Sequence, residues 1–318
     1  VAEEVNALGR GFFKDILKGS AMTMALFLTY VLLPLVGMLP GIVTPAPGIY
    51  YALKRGRIVG FAIIAVTGLV LVLTTDVAVL SIYMLQCGIL TLAIPAFLLR
   101  GEGGSRAIAY AVATNIVILI VVAGFFALYY GVDLHAQVLQ GVNSSIEQTI
   151  SLYEKTGIGG EELKGLRTGM QQAGVLIGRI YPALVATGLG VIAGINLFVV
   201  ARIAARRYSP LHLGEFTKYK NPEQLIWLLI AAGFAMLADN SMLQLSAANI
   251  LIVLAALYFI QGVAVSGYFF KRFTVPVFVR GVFYLLIAIQ PFMALAVALL
   301  GVFDLWGDFR SPKKQENL

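Results

Sequence analysis

Charge is what this sequence has least of. Only 12% of its 318 residues are Asp, Glu, Lys or Arg, against roughly 25% in an ordinary soluble domain. A soluble protein of this length needs a charged surface, so that class is excluded. Cysteine is nearly absent as well. Cys87 stands alone, which removes any intramolecular disulfide and any cysteine-based metal cluster. It lies inside an apolar run, the usual place of a small buried thiol. Histidine occurs only as His135 and His212. No HExxH, GxSxG or P-loop pattern is present. No Asp, Glu or Lys falls deep in an apolar segment, which speaks against a proton relay or a carboxylate-lined cation path. The chain therefore reads as a non-enzyme without a cofactor. Its net charge of +7 reflects where the cations fall and is no sign of nucleic-acid binding.

What abounds is hydrocarbon, at 59% hydrophobic residues. Residues 77–99, 107–130, 180–201 and 246–270 carry no charged side chain. About 20 such residues cross ~30 Å of bilayer core at 1.5 Å per residue. The expected fold is all-α, a polytopic transmembrane helix bundle of about 8–9 spans, forming a single integral membrane domain over 1–318. The spans are expected near 20–40, 42–53, 58–74, 77–99, 107–130, 177–201, 223–238, 246–270 and 276–303. Residues 1–19 form an amphipathic lead-in, with Phe12, Phe13, Ile16 and Leu17 along the interface and Lys14 and Lys18 toward headgroups. Residues 304–318 form a polar tail.

The cations supply an orientation. Lys54, Arg55 and Arg57 share one loop, and Arg100 and Arg106 another. Arg202, Arg206, Arg207, Lys218 and Lys220 share a third, and Lys271, Arg272 and Arg280 a fourth. The connections near 74–76 and 239–245 have neither Lys nor Arg. Every other loop is basic, so these four are assigned to the cytoplasm and 131–176 to the outside of a bacterial cytoplasmic (inner) membrane. The chain must then return between Gly41 and Lys54. That is too short for an ordinary span, and Pro45 and Pro47 predict a short or partly unwound crossing, with a plain loop plus a tilted short helix as the alternative. Residues 276–303 are expected to cross in full, with a fold-back at Gln290-Pro291 as the alternative.

Residues 131–176 form an extracytoplasmic helical loop. Leu134, Val138, Val142, Ile146, Ile150 and Tyr153 recur at helical spacing, as expected of an amphipathic helix that either lids a pocket or lies on the bundle. Polar side chains within apolar runs are the binding candidates: Gln86, Asn115, Asn196 and Gln261, with Arg179 and Tyr181 at the outer rim. Each amide has an alternative role bonding a neighbouring helix, at about 0.6 kcal/mol. Arg179 has the alternative of snorkelling to headgroups. Arg202, Arg206 and Arg207 are candidates for docking a partner or anionic lipid. The pairs Gly56/Gly60 and Gly190/Gly194 would allow close helix approach.

Four segments together carry a likeness. They are RIYPALVATGLGVIAGINLFVVARIAARR (179–207), FTKYKNPEQLIWLLIAAG (216–233), NILIVLAALYFIQGVAVSGYFFKR (249–272) and LGVFDLWGDFR (300–310). In these the chain resembles the YybS-like family of predicted bacterial membrane proteins. That family is distantly similar to the substrate-binding S-components of energy-coupling-factor vitamin transporters and to the cell-shape protein MreD. The resemblance implies an S-component-like bundle that binds a small solute from outside, or a cell-envelope scaffold without transport. With no nucleotide-binding motif, active transport would need separate ATPase and coupling subunits. A scaffold would dock envelope proteins, and membrane lipid is a partner in either case.

The orientation is directly measurable. In a Cys87→Ser background, Ser144→Cys should react with a membrane-impermeant maleimide in intact cells, and Ser105→Cys only after permeabilisation. The reverse pattern would invert the topology.

Overall fold

A computed structural model of the chain describes residues 2–157, 159–207, 213–307 and 309–310, with side chains for all but 2–10, 34–35 and 205–207. Among the described residues there is no strand. Six helices among the described residues are long and apolar enough to cross a membrane, and a bent pair near the C-terminus makes a seventh if counted as one span.

Helix α1 (Ala2–Leu32) runs from the expected lead-in into the first span without a break. Its candidate span is Gly11–Leu32, which ends eight residues before the expected boundary at 40. The stop has a local cause. Leu33 precedes Pro34 and is pushed out of the helical region, to φ −129°. Pro34 then opens α2 (Pro34–Ile42) at its first position, where the missing N–H costs nothing. Helix α2 folds back, with Gly37 against the Thr29 carbonyl and Gly41 against Tyr30. After a turn at Val43–Pro45, α3 (Ala46–Arg55) continues down α1, with Tyr51 beside Gly19. Lys54 and Arg55 reach Asp15, each at 2.9 Å. Residues 34–55 thus run back along α1 as two short helices joined by a turn, and the expected segment 42–53 is that turn followed by α3, the loop-plus-short-helix alternative.

Gly56 ends α3 at φ +101°, a conformation that strains any residue with a Cβ, and α4 (Arg57–Thr74) follows. The Asp76 carboxylate caps α5 (Val77–Tyr83) by accepting from the Val79 N–H at 2.9 Å. A π-helical segment, Met84–Gly88, joins α5 to α6 (Ile89–Leu98), and α7 (Gly104–Tyr130) follows. Helix α8 (Leu134–Lys155) starts at the Asp133 cap. Helix α9 (Gly160–Arg207) is 48 residues long. A 3₁₀ turn at Phe216–Lys218 leads to α10 (Leu225–Ala235), α11 (Ser241–Arg272), α12 (Val277–Ile289) and α13 (Pro291–Gly307).

The chain divides into two compact units, Val1–Gly131 with Gly188–Gly214, and Val132–Thr187 with Glu215–Leu318. In the first, Ile49, Leu90, Ile94, Ala111, Ala193, Leu197 and Val200 form the main core. A second cluster holds Phe27, Leu71, Tyr83 and the fully buried Cys87, so the lone thiol is a packing residue. In the second unit, α8 lies along the start of α9. The middle of its predicted face is buried, with Ile146 and Ile150 7% and 1% exposed, while Tyr153 at its end is exposed, and Gly174 and Gly178 of α9 admit Ile146 and Leu139.

Two expected spans take other forms. Helix α10 has eleven residues, about 16 Å long, half the thickness of the bilayer core. The segment 276–303 does not cross as one helix. Gln290 is extended and Pro291 lacks a donor, and the chain bends by 107° between α12 and α13. Helix α13 then packs hard on α11. A Cβ on Gly262 would overlap the Val297 carbonyl oxygen, and one on Gly301 the Tyr258 carbonyl oxygen. By contrast nothing packs within 4 Å of the Cβ direction at Gly190 or Gly194, so that pair does not bring helices together in this chain.

Gly301→Leu should therefore lower the unfolding free energy in detergent by about 1–3 kcal/mol or more, whereas Gly190→Leu should leave the unfolding temperature unchanged. Equal behaviour of the two variants would contradict the α11–α13 contact.

Candidate functional site

Three helix irregularities each receive an asparagine from another helix. At the end of α2, the Ile42 carbonyl has no helical partner, because Pro45 has no N–H and the Ala46 N–H goes to the Val43 carbonyl. Asn196 of α9 donates to it from Nδ2 at 2.7 Å, and also to the Ile192 carbonyl at 2.7 Å. At the π segment, where the i→i−4 ladder is disturbed, Asn115 of α7 donates from Nδ2 to the Leu85 carbonyl at 2.9 Å. At Pro182, inside α9, Asn249 of α11 accepts from the Ala183 N–H and donates to the Arg179 carbonyl, both at 2.9 Å. Those two groups pair with one another in an uninterrupted helix.

The three amides are not equivalent. Asn249 has both ends of its amide engaged. Asn115 and Asn196 are 0% exposed, and the Oδ1 of each has no partner. Both belong to the first unit, as does Gln86, half-buried on the π segment. Arg179, Tyr181 and Gln261 belong to the second unit. Arg179 is exposed. Tyr181 packs against His135, with ring centroids 5.9 Å apart and the rings tilted by 30°. Gln261 lies twelve residues along α11 from Asn249, about 18 Å away. Arg202 is exposed, with its guanidinium 5.0 Å over the Phe198 ring. The side chains of Arg206 and Arg207, and all of His212, lie outside the described residues.

Gln261 turns out to be the centre of a polar core in the second unit. Its Oε1 accepts from the Asn221 N–H and its Nε2 donates to Asp304 Oδ2, both at 2.9 Å. Asp304, 1% exposed, forms an ion pair with Arg310. Arg310 also donates to the carbonyls of Thr217 and Tyr219, at 3.0 and 2.7 Å. Asn221 donates to the Leu257 carbonyl at 2.9 Å, and Tyr219 donates its hydroxyl to Asn221 Oδ1 at 2.6 Å. Burial raises the Tyr219 pKa, so the phenol remains a donor. Sequence reading missed Asp304, Asn221, Tyr219 and Arg310. The available signal was Arg310, a cation that a full crossing of 276–303 would have placed on the wrong side. In the structure it returns to the basic loop at Thr217 and Tyr219. Among the described residues no group of His, Cys, Asp and Glu could hold a metal ion.

Removing one member of a buried ion pair leaves the other uncompensated, at about 3–5 kcal/mol. Arg310→Gln should show that loss in thermal unfolding, and the double variant Asp304→Asn/Arg310→Gln should recover most of it. Additive losses would mean that the two residues act separately.

The polar core is assembled from the FTKYKNP, FIQG and FDLWGDFR segments, which also carried the family likeness. A family model described as predicted membrane protein (DUF2232) matches residues 21–305. The protein named Uncharacterized protein YybS from Bacillus subtilis (strain 168) is 23% identical over 296 residues, covering 90% of this chain and 93% of that protein. No solved structure matches. With the family match running from α1 through Asp304 of α13, the chain belongs to the DUF2232 family of predicted membrane proteins and is YybS-like.

Proposed function

We propose that this multi-pass membrane protein is transport-related and binds a small solute bearing hydrogen-bond donors within its first unit. One observation carries the reading: Asn115 and Asn196 are fully buried, their Nδ2 groups are held by backbone carbonyls, and each Oδ1 is left without a partner. An unpaired buried acceptor costs about 1–3 kcal/mol, which a ligand N–H or O–H would recover. The α2–α3 break supports the same reading, since transporters build midplane sites from discontinuous helices with irregular backbone lining a cavity.

In this reading the fold is S-component-like, and the solute enters from the side away from the basic loops. Counting α2–α3 and α10 as short crossings gives eight, with α12–α13 as a dip that begins and ends on the basic side. That side is the cytoplasm of a bacterial inner membrane. ATPase and coupling subunits are separate chains. A second reading, an MreD-like envelope scaffold, is favoured by Arg202, an exposed cation braced on Phe198, as a docking point for an anionic partner.

The test is native mass spectrometry of the protein gently extracted from its own membrane. A retained small molecule of defined mass is expected. Its occupancy should fall about tenfold, the equivalent of ~1.4 kcal/mol, in folded Asn115→Leu and Asn196→Leu variants, while Asn249→Leu, which removes no free acceptor, keeps it. Equal occupancy in all three would sink the site, and a stoichiometric partner protein without ligand would favour the scaffold.

A further inference from the structure

A hydroxyl inside a membrane helix usually pairs with its own backbone. Thr29, Thr74, Ser81, Thr91, Thr187 and Ser266 each donate to the carbonyl four residues earlier, at 2.7–2.9 Å. Ser20, Thr23 and Thr67 do not. They are 5%, 3% and 1% exposed, and the hydroxyl oxygen of each has no partner. A buried polar group left unpaired costs free energy, and at these three positions the self-pairing that would avoid the cost is not used.

Thr23 and Thr67 stand on facing sides of α1 and α4. Gly19, one turn before Thr23, meets Ile63, one turn before Thr67. Phe27, one turn after Thr23, packs in one cluster with Leu71, one turn after Thr67. The Tyr83 phenol approaches Thr67 without reaching hydrogen-bond geometry. Ser20 lies one turn nearer the start of α1.

These hydroxyls stand level with the two backbone irregularities that Asn196 and Asn115 mark. Gly19 lies against Tyr51 of α3, and Tyr30 against Gly41 of α2. Thr23 is therefore level with Pro47 and Gly48, just past the α2–α3 break that Asn196 holds. On α4, Gly68 lies against Met84, and Ile64 against Gly88. Thr67 is therefore level with the π segment that Asn115 holds. All five residues belong to the first unit.

The set contains no charge. Among the described residues of the first unit, Asp15 is the one buried ionised side chain, and Lys54 and Arg55 neutralise it at 2.9 Å. A charged solute beside these hydroxyls would lose its water without gaining a counter-charge, which is strongly unfavourable. A hydroxyl both donates and accepts, whereas an amide oxygen only accepts. The hydroxyls can therefore satisfy solute acceptors that Asn115 and Asn196 cannot.

We infer that the solute of the first unit is an uncharged molecule carrying both hydrogen-bond donors and acceptors. The Asn115 and Asn196 Oδ1 atoms take its donors, and the Ser20, Thr23 and Thr67 hydroxyls take its acceptors. This names the substrate class of the solute site proposed above and rests on that reading.

The experiment uses the full chain gently extracted from its own membrane. The retained molecule is released by denaturation and passed over anion-exchange and cation-exchange resins at pH 7. It should flow through both. Thr23→Val and Thr67→Val keep the side-chain shape and delete the hydroxyl. Each should cut ligand occupancy about tenfold, the upper range for one hydrogen bond. The unfolding temperature of the ligand-free variants should stay level or rise, because no internal bond is lost. Thr91→Val, whose hydroxyl is spent on the Cys87 carbonyl, should keep the ligand. Loss confined to Asn115→Leu and Asn196→Leu overturns the hydroxyl assignment and leaves the solute site standing, and so does an equal loss in Thr91→Val. A ligand that binds either resin overturns the uncharged class alone. Wild-type protein that retains no small molecule overturns both readings.

Discussion

In hydrocarbon there is no water to pair a backbone carbonyl that a helix has released. The architecture follows from that constraint. The chain interrupts its helices at Ile42, at Met84–Gly88 and at Pro182, and each interruption is met by an asparagine from a different helix. The net gain per bond is modest, about 0.6 kcal/mol on average between membrane helices. The penalty for the unmatched alternative is larger. These amides therefore act mainly by selection, since a neighbouring helix placed one turn away would leave a carbonyl stranded. Packing of Leu90, Ile94 and Leu197 alone would tolerate such a slip far more easily.

The polar core of the second unit obeys the same logic with charge added. Bringing Asp304 and Arg310 out of water is costly, and further bonds supplement their attraction. Gln261 donates to Asp304 Oδ2 and two loop carbonyls accept from Arg310, while Asp304 Oδ1 is left without a partner. The close approach of α13 to α11 at Gly262 and Gly301 brings Asp304 within reach of Gln261. Glycine packing and the buried ion pair are thus one device: the first sets the helix spacing, and the second fixes which turn faces which.

Much of this was legible in residue order. Long uncharged runs declared the membrane helices, the 3.6-residue spacing of Val142, Ile146 and Ile150 declared the α8 face, and Pro45 with Pro47 marked the start of the short helix α3. Other features depend on distant partners. Nothing near Asn115 or Asn196 in the chain distinguishes a carbonyl-bonding amide from a ligand-binding one, because Leu85 and Ile42 are 30 and 154 residues away. Hydropathy also treated 276–303 as a single crossing, since the 107° bend changes direction without changing composition. Gly190/Gly194 had the spacing of a contact but faces open space, whereas Gly174 and Gly178, with the same spacing, hold α8.

The closing position of Arg310 also bears on biogenesis. Gln261 enters the membrane with α11, but Asp304 lies 43 residues further on. At roughly 5–20 residues per second of synthesis, its partner arrives some 2–9 s later. Until then α11 carries an amide side chain whose final acceptor has not been made. The second unit therefore cannot complete its interior while the ribosome is still on α12. Its assembly ends with a step set by translation rate, and a membrane chaperone or insertase would meet the most exposed form of α11 in that interval.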